Sequence, residues 1–196
     1  MQPMFFHYPQ DFECNGLGYQ YFYGPGILVA PVTVENSTTT DIYLPDDLFY
    51  DWYTHDAIRG KGSWVTLTDV PYTQIPLYYK GGSIIAQRAN SSNTTAELRK
   101  QDFEIVIAPG IDGTASGSLY LDDGISIVQP ATSFINFTYE KNGKFSMTGT
   151  FGYNAGVSIS SITVLGKSHG NKGQEMKAAQ ATASKIPLTG PVTLHL

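Results

Sequence analysis

One cysteine, Cys14, is all the sequence holds. No disulfide can close within the chain, and a cysteine-based zinc site has too few ligands. A lone cysteine in a secreted protein is either buried and free or parted from a partner, and the sequence leaves both open. Charge is also scarce: Asp, Glu, Lys and Arg make up 15% of the 196 residues, and the net charge is -5. That balance offers no basic face to nucleic acid phosphates, so no nucleic acid partner is expected. No apolar run approaches the roughly 20 residues of a membrane span, so no membrane partner is expected either. Met1–Pro9 has neither the basic start nor the apolar stretch of a secretory signal. No segment keeps a helical apolar period; alanine-rich Glu175–Ala183 is the one short-helix candidate. There is no Gly-x-Ser-x-Gly elbow and no phosphate-cradling glycine loop. His7, His55, His169 and His195 are scattered, with no pair at metal-ligand spacing, so no metal and no cofactor is implied.

Strand signals fill the space these absences leave. Short alternating runs rich in Val, Ile, Thr, Tyr and Phe recur at 27–32, 40–44, 49–53, 63–68, 75–79, 83–87, 103–108, 117–121, 125–128, 134–139, 145–151 and 157–165. Gly, Pro, Asn and Asp punctuate them at a spacing typical of antiparallel sandwiches or barrels. The period is clearest at 134–139, which predicts Phe134, Asn136 and Thr138 on one face and Ile135, Phe137 and Tyr139 on the other. "ANSSNTTAELRK", residues 89–100, is polar and lacks aromatics, and reads as a linker or exposed loop between two small sandwiches. Residues 1–23 hold many rings in little regular pattern, and those rings need a host beyond two small sandwiches.

Four N-glycosylation acceptors stand at Asn36, Asn90, Asn93 and Asn136. With eight asparagines, and Ser plus Thr at about a sixth of the residues, chance supplies roughly one or two. The excess points to a secreted or extracellular protein whose signal peptide is not in this chain.

Two acidic pairs invite a catalytic reading. Asp122-Asp123 stands in "SGSLYLDDGIS" and Asp46-Asp47 in "YLPDDLFYDW". A glycosidase pair needs two carboxyls about 5 to 10 Å apart, one in an apolar setting that holds its proton. Asp-Gly between alternating runs is instead the strongest short hairpin signal, and a calcium loop would need oxygen ligands that "LDDGISIVQ" does not supply. Both pairs are therefore expected to be turns. Tyr50, Trp52, Tyr53, Trp64, Tyr78 and Tyr79 are a candidate platform for stacking a sugar ring, and core packing explains them equally well.

Read in order, "QPMFFHYPQD", "YFYGPGILVAPVTVENSTTTDIYLPDDLFYDWYT", "GSWVTLTDVPYTQIPLYYKGGSII" and "DFEIVIAPGIDGTASGSLYLDDG" resemble the C-terminal portion of glycoside hydrolase family 31, most of all the secreted fungal α-glucosidases of maltase type. The resemblance is dense to about residue 130 and thins beyond, with "SSITVLGK" still in keeping. It implies an all-β fold of two consecutive antiparallel β-sandwiches preceded by the end of a (β/α)8 barrel. Residues 1–23 would be the barrel's end, 24–88 the proximal sandwich, 89–100 the linker and 101–196 the distal sandwich. It also implies that the aspartate nucleophile and acid/base lie on the barrel. No "WxDMNE"-like segment occurs here, so no catalytic residue is assigned. The implied partner is that missing catalytic barrel, with an oligosaccharide as a further candidate. Departures are Gly18 and Tyr19 where many members carry Asp before the Gln-aromatic pair, Ile125 where many carry Glu, and Ala86 where Pro is usual. A free-standing carbohydrate-binding sandwich, or the inactive product of a truncated gene, remain the alternatives.

Overall fold

A computed structural model describes residues 1–166, 179–181 and 185–196. In the first part the strands are β1 (Gln2–Pro3), β2 (Tyr21–Tyr23), β3 (Ile27–Val29), β4 (Thr40–Leu44), β5 (Leu48–Asp51), β6 (Ala57–Arg59), β7 (Ser63–Leu67) and β8 (Leu77–Lys80). They form a six-stranded sheet in the order β1-β2-β3-β8-β5-β6 and a two-stranded ribbon, β4-β7. Alternation brings the apolar sides of sheet and ribbon together. Phe22, Leu28, Ile42, Leu44, Phe49 and Tyr78 are buried in one cluster with Met4 and Cys14. Each large side chain so buried contributes about 1.5–3 kcal/mol of transfer free energy.

In the second part the strands are β9 (Ser83–Arg88), β10 (Phe103–Ala108), β11 (Ala115–Leu121), β12 (Ser133–Tyr139), β13 (Lys144–Phe151), β14 (Ser158–Val164), β15 (Ala179–Ala181), β16 (Ile186–Pro187) and β17 (Val192–His195). One sheet runs β15-β14-β10-β9-β11-β12-β13-β17, with β16 also on β14. Residues from β10 and β14 share a core cluster with residues from β12 and β13, so this long sheet folds over on itself. Phe137 and Phe145 stack at its centre, ring centroids 6.0 Å apart. Strand β12 shows the expected alternation, with Ile135, Phe137 and Tyr139 buried and Phe134, Asn136 and Thr138 exposed. Strands β10 and β14 run parallel, which the sequence spacing does not reveal.

Several expectations change. Strand β9, grouped with the first part by sequence, pairs antiparallel with β10 across 88↔103 to 83↔108. Residues 89–100, read as a linker or exposed loop, are an exposed loop that closes that β9–β10 hairpin and includes a single helical turn, Thr95–Leu98, capped by the Thr94 hydroxyl. The chain crosses between the parts at Gly81-Gly82 instead. Gly81 N–H donates to Leu48 O at 2.7 Å and Gly82 N–H to Ala108 O at 2.8 Å. A third cluster spans the crossing, with Tyr50, Tyr79, Val106, Ala108 and Leu165 all buried. The Tyr50 hydroxyl donates to Pro109 O at 2.9 Å.

No strand forms at 125–128: the chain from Asp122 to Thr132 is a loop, and β11 pairs with β12 instead. The short-helix candidate Glu175–Ala183 lies mostly outside the described residues, and its middle, Ala179–Ala181, is strand β15 on β14. His169 also lies outside them. Among the described residues no helix is long and apolar enough to cross a membrane.

Candidate functional site

A polar network lies where residues 1–20 meet the first sheet and its ribbon. A helical turn, Met4–His7, and a 3-10 turn, Phe12–Gly16, drop Met4 and Cys14 into the core. Asp11 opens the second turn by accepting from Glu13 N–H, and its carboxylate accepts from the Tyr43 hydroxyl at 2.9–3.0 Å. The Tyr8 hydroxyl donates to Asp47 Oδ2 at 2.9 Å, and Lys80 Nζ lies 3.3 Å from the same oxygen. Burial and the Asp47 carboxylate push the Tyr8 phenol far up, so it stays a donor. Burial and the Asp11 hydrogen bond push Tyr43 up to about 12. Burial, then Asp11, pushes the Cys14 thiol up to about 12, and the thiol is free and buried.

Gln20, the glutamine of the Gln-aromatic pair, completes the joint, a role that its place in the sequence does not reveal. It is 7% exposed. Its Oε1 accepts from Tyr43 N–H at 2.9 Å and its Nε2 donates to Tyr43 O at 2.5 Å. Among the described residues strand β4 pairs with β7 alone, so Gln20 satisfies the backbone of its free edge. A groove of about 550 Å³ opens beside the network, lined by His7, Tyr8, Asp11, Phe12, Tyr43 and Asp46.

These carboxylates hold structure. Asp46 Oδ1 lies 2.5 Å from Arg59 Nη2, Asp47 is held by Tyr8 and Lys80, and Asp11 by Tyr43. The residues 45–48 bend, as the sequence predicts for Asp46-Asp47, with Asp47 N–H donating to Pro45 O.

The Asp122-Asp123 pair bends the chain too, but it makes no tight hairpin. Asp123 Oδ1 accepts from both Ile125 N–H and Ser126 N–H at 2.9 Å, and Oδ2 from the Ser126 hydroxyl at 2.6 Å. Its side chain thus takes the amides a returning strand would have offered to β11. Ile125, Ile127 and Val128 are left almost fully exposed. Gly124 adopts a positive φ, +68°, with the Arg99 guanidinium lying over its Cα, where a Cβ would stand 2.1 Å from the guanidinium carbon. Arg99 Nη1 donates to Asp122 O and Oδ1 at 2.9 and 3.1 Å.

The Ser126 hydroxyl, then the two amides, hold the Asp123 carboxyl down at about 2. That runs opposite to what an acid catalyst needs. Its contribution to stability is present above the unfolded value of about 3.9 and is lost as pH falls toward the folded one. Carboxyl-carbon NMR should place the Asp123 midpoint near 2, and Ser126→Ala should raise it. An ordinary midpoint that ignores Ser126→Ala would contradict the assignment.

The six candidate platform rings do not form a row. Tyr50, Tyr78 and Tyr79 are buried, and Trp52 stacks on Tyr79 with centroids 4.5 Å apart. Trp64 is exposed on the ribbon, edge-on to Tyr43, and Tyr53 is exposed on the turn after β5. The four acceptor asparagines, Asn36, Asn90, Asn93 and Asn136, are all exposed. Among the described residues no cluster of His, Cys, Asp and Glu could hold a metal.

Residues 1–85 match the Glycosyl hydrolase family 31 C-terminal domain. The chain is 48% identical over 203 aligned residues to the probable alpha/beta-glucosidase agdC of Neosartorya fischeri, covering 100% of this chain and 23% of that protein. It is 46% identical over 211 aligned residues to a probable alpha/beta-glucosidase of Arthroderma benhamiae, covering 100% of this chain and 24% of that one. The chain therefore spans about a quarter of the length of the curated relatives it matches. Among solved structures, one chain of the ER glucosidase II heterodimeric complex superposes with a TM-score of 0.84 at 25% identity, over 98% of this chain and 25% of that chain.

Proposed function

From a chain that belongs to glycoside hydrolase family 31 and matches the C-terminal portion of its members, we propose that its role is structural support within an α-glucosidase. The whole enzyme hydrolyses terminal α-linked glucose by the retaining, two-carboxylate route. In this reading residues 1–23 continue from the catalytic barrel, and the first sheet and ribbon brace it. The observation that carries the reading is the joint around Gln20. It anchors Met4, Cys14 and Phe22 in the core while Phe5, Phe6, Phe12 and Tyr19 stay exposed. Rings left facing outward beside a rigid joint make a surface suited to a large apolar partner, here the barrel. With Tyr50, Tyr78 and Tyr79 buried and Tyr53 and Trp64 exposed on separate elements, the six candidate rings supply no exposed row, which weighs against a free-standing sugar-binding module.

The chain alone should release no p-nitrophenol from p-nitrophenyl α-glucoside above buffer. Release that scales with the concentration of chain purified free of host enzyme would overturn the proposal. We further read the protein as secreted, with glycans on its acceptor asparagines. The exposure of Asn36, Asn90, Asn93 and Asn136 supports this.

A further inference from the structure

One acceptor differs from the other three in what surrounds it. Asn136 lies mid-strand on β12, between Ser118 of β11 and Thr148 of β13. Thr138, the hydroxyl residue of its sequon, shares its exposed face. So does Phe134, two residues earlier and 48% exposed. Directly across from Phe134 stands Tyr120, 52% exposed. Cross-strand neighbours sit about 4.5–5.5 Å apart at Cβ, and residues two apart along a strand about 6.5–7 Å. Two large, half-exposed aromatic residues are therefore rooted opposite one another on neighbouring strands, one step along the face from the acceptor amide. The rest of that face is Ser116, Ser118, Ser146, Thr148 and Thr150, small and polar. By contrast, two residues before Asn36, Asn90 and Asn93 stand Val34, Arg88 and Ser91. Asn36 sits at a positive φ of 57°, and the Asn90 amide already donates to Gln101 Oε1 at 3.3 Å.

We propose that Asn136 carries an N-linked glycan whose first N-acetylglucosamine rests its C–H face on the Phe134–Tyr120 pair. The inference rests on the secretory reading above. Attachment consumes a lipid-diphosphate-linked oligosaccharide. The Asn136 amide nitrogen forms the bond to C1 of the sugar and loses a proton. The bond from C1 to the diphosphate oxygen breaks, and the lipid diphosphate leaves. Transfer precedes folding, so a mid-strand position is no barrier. Once the strand has formed, the sugar removes apolar ring surface from water.

The test is to secrete the full chain from a yeast and cleave its glycans with peptide N-glycosidase in oxygen-18 water. Labelled aspartate then marks each occupied site. Asn136 should be occupied in most molecules. Asn136→Gln should lower the melting temperature by about 2–4 °C, Thr138→Ala should do the same, and neither should do so in the Phe134→Ala/Tyr120→Ser background. An unoccupied Asn136 beside occupied neighbours, or an equal loss in both backgrounds, would overturn this inference alone. No label at any of the four sites would overturn the secretory reading, and this inference with it.

Discussion

Gln20→Leu is expected to destabilise the protein by about 2–4 kcal/mol. The side chain is buried, and both its polar ends are spent on Tyr43's backbone. Leucine fills similar volume and makes neither bond. The Tyr43 N–H and C=O would then face the core unpaired, at about 1–3 kcal/mol each. For a chain of this size the melting temperature should fall by roughly 5–15 °C. Residues 8–19 should also become open to proteolysis, because the joint that holds them has loosened. Gln87→Leu is the control: Gln87 is half-buried and makes one long bond of 3.5 Å to Glu104, so its effect should stay within about 0.5 kcal/mol. A Gln20→Leu melt within a degree of the parent would remove Gln20 from the joint.

Gly117→Val should be comparably damaging, for a steric reason. A Cβ at Gly117 would stand 2.1 Å from Ile84 O and 2.9 Å from Ile84 C, both backbone atoms that cannot swing away. Strand β11 reaches β9 at that point, with Ser116 opposite Ser83 and Ser116 N–H donating to Gly82 O at 3.0 Å. Any side chain pushes the two strands apart where the long sheet turns from β10 and β14 toward β12 and β13. Overpacking of this kind costs about 1–3 kcal/mol, and the valine belongs at the top of that range or beyond. Hydrogen exchange should speed up at Ser116 and a melt should shift down by roughly 6–12 °C. Gly16→Ala and Gly18→Ala, where a Cβ meets nothing within 4 Å, should leave the melt nearly unmoved. If Gly117→Val behaves like them, the close approach has no energetic weight.

How far the sequence alone reached follows from what kind of signal each feature leaves. Alternation is local, so Thr40–Leu44 and Phe103–Ala108 can be bounded correctly, and the buried face of β12 can be named residue by residue. Pairing is not local. Nothing in Ser83–Arg88 says that its partner follows rather than precedes it, and a parallel β10–β14 pair leaves no mark in turn spacing. Ile125–Val128 has strand composition, yet the Asp123 carboxylate captures its first amides and three aliphatic side chains end in water. Ring counts suggested a sugar platform and a need for an outside host. Packing sorted the rings in a way their count could not show: Tyr50, Tyr78 and Tyr79 went inward, and so did Phe22 among the first 23 residues, while Phe5, Phe6, Phe12 and Tyr19 did not. The role of Gln20 was illegible because its value lies in the unpaired edge of a strand some twenty residues away.

The Gly81-Gly82 crossing has a consequence for how such a protein can be lengthened or rebuilt. Both amides are committed, to Leu48 on one side and Ala108 on the other, and Gly82 O takes a third bond from Ser116. A residue inserted there would rotate everything after it, turning the second part against the first like a key in the wrong slot. Residues 89–100 carry no such constraint, since they leave and return on neighbouring strands of one sheet. Added length belongs in that loop, and the two-glycine crossing is where the relative orientation of the two parts is written.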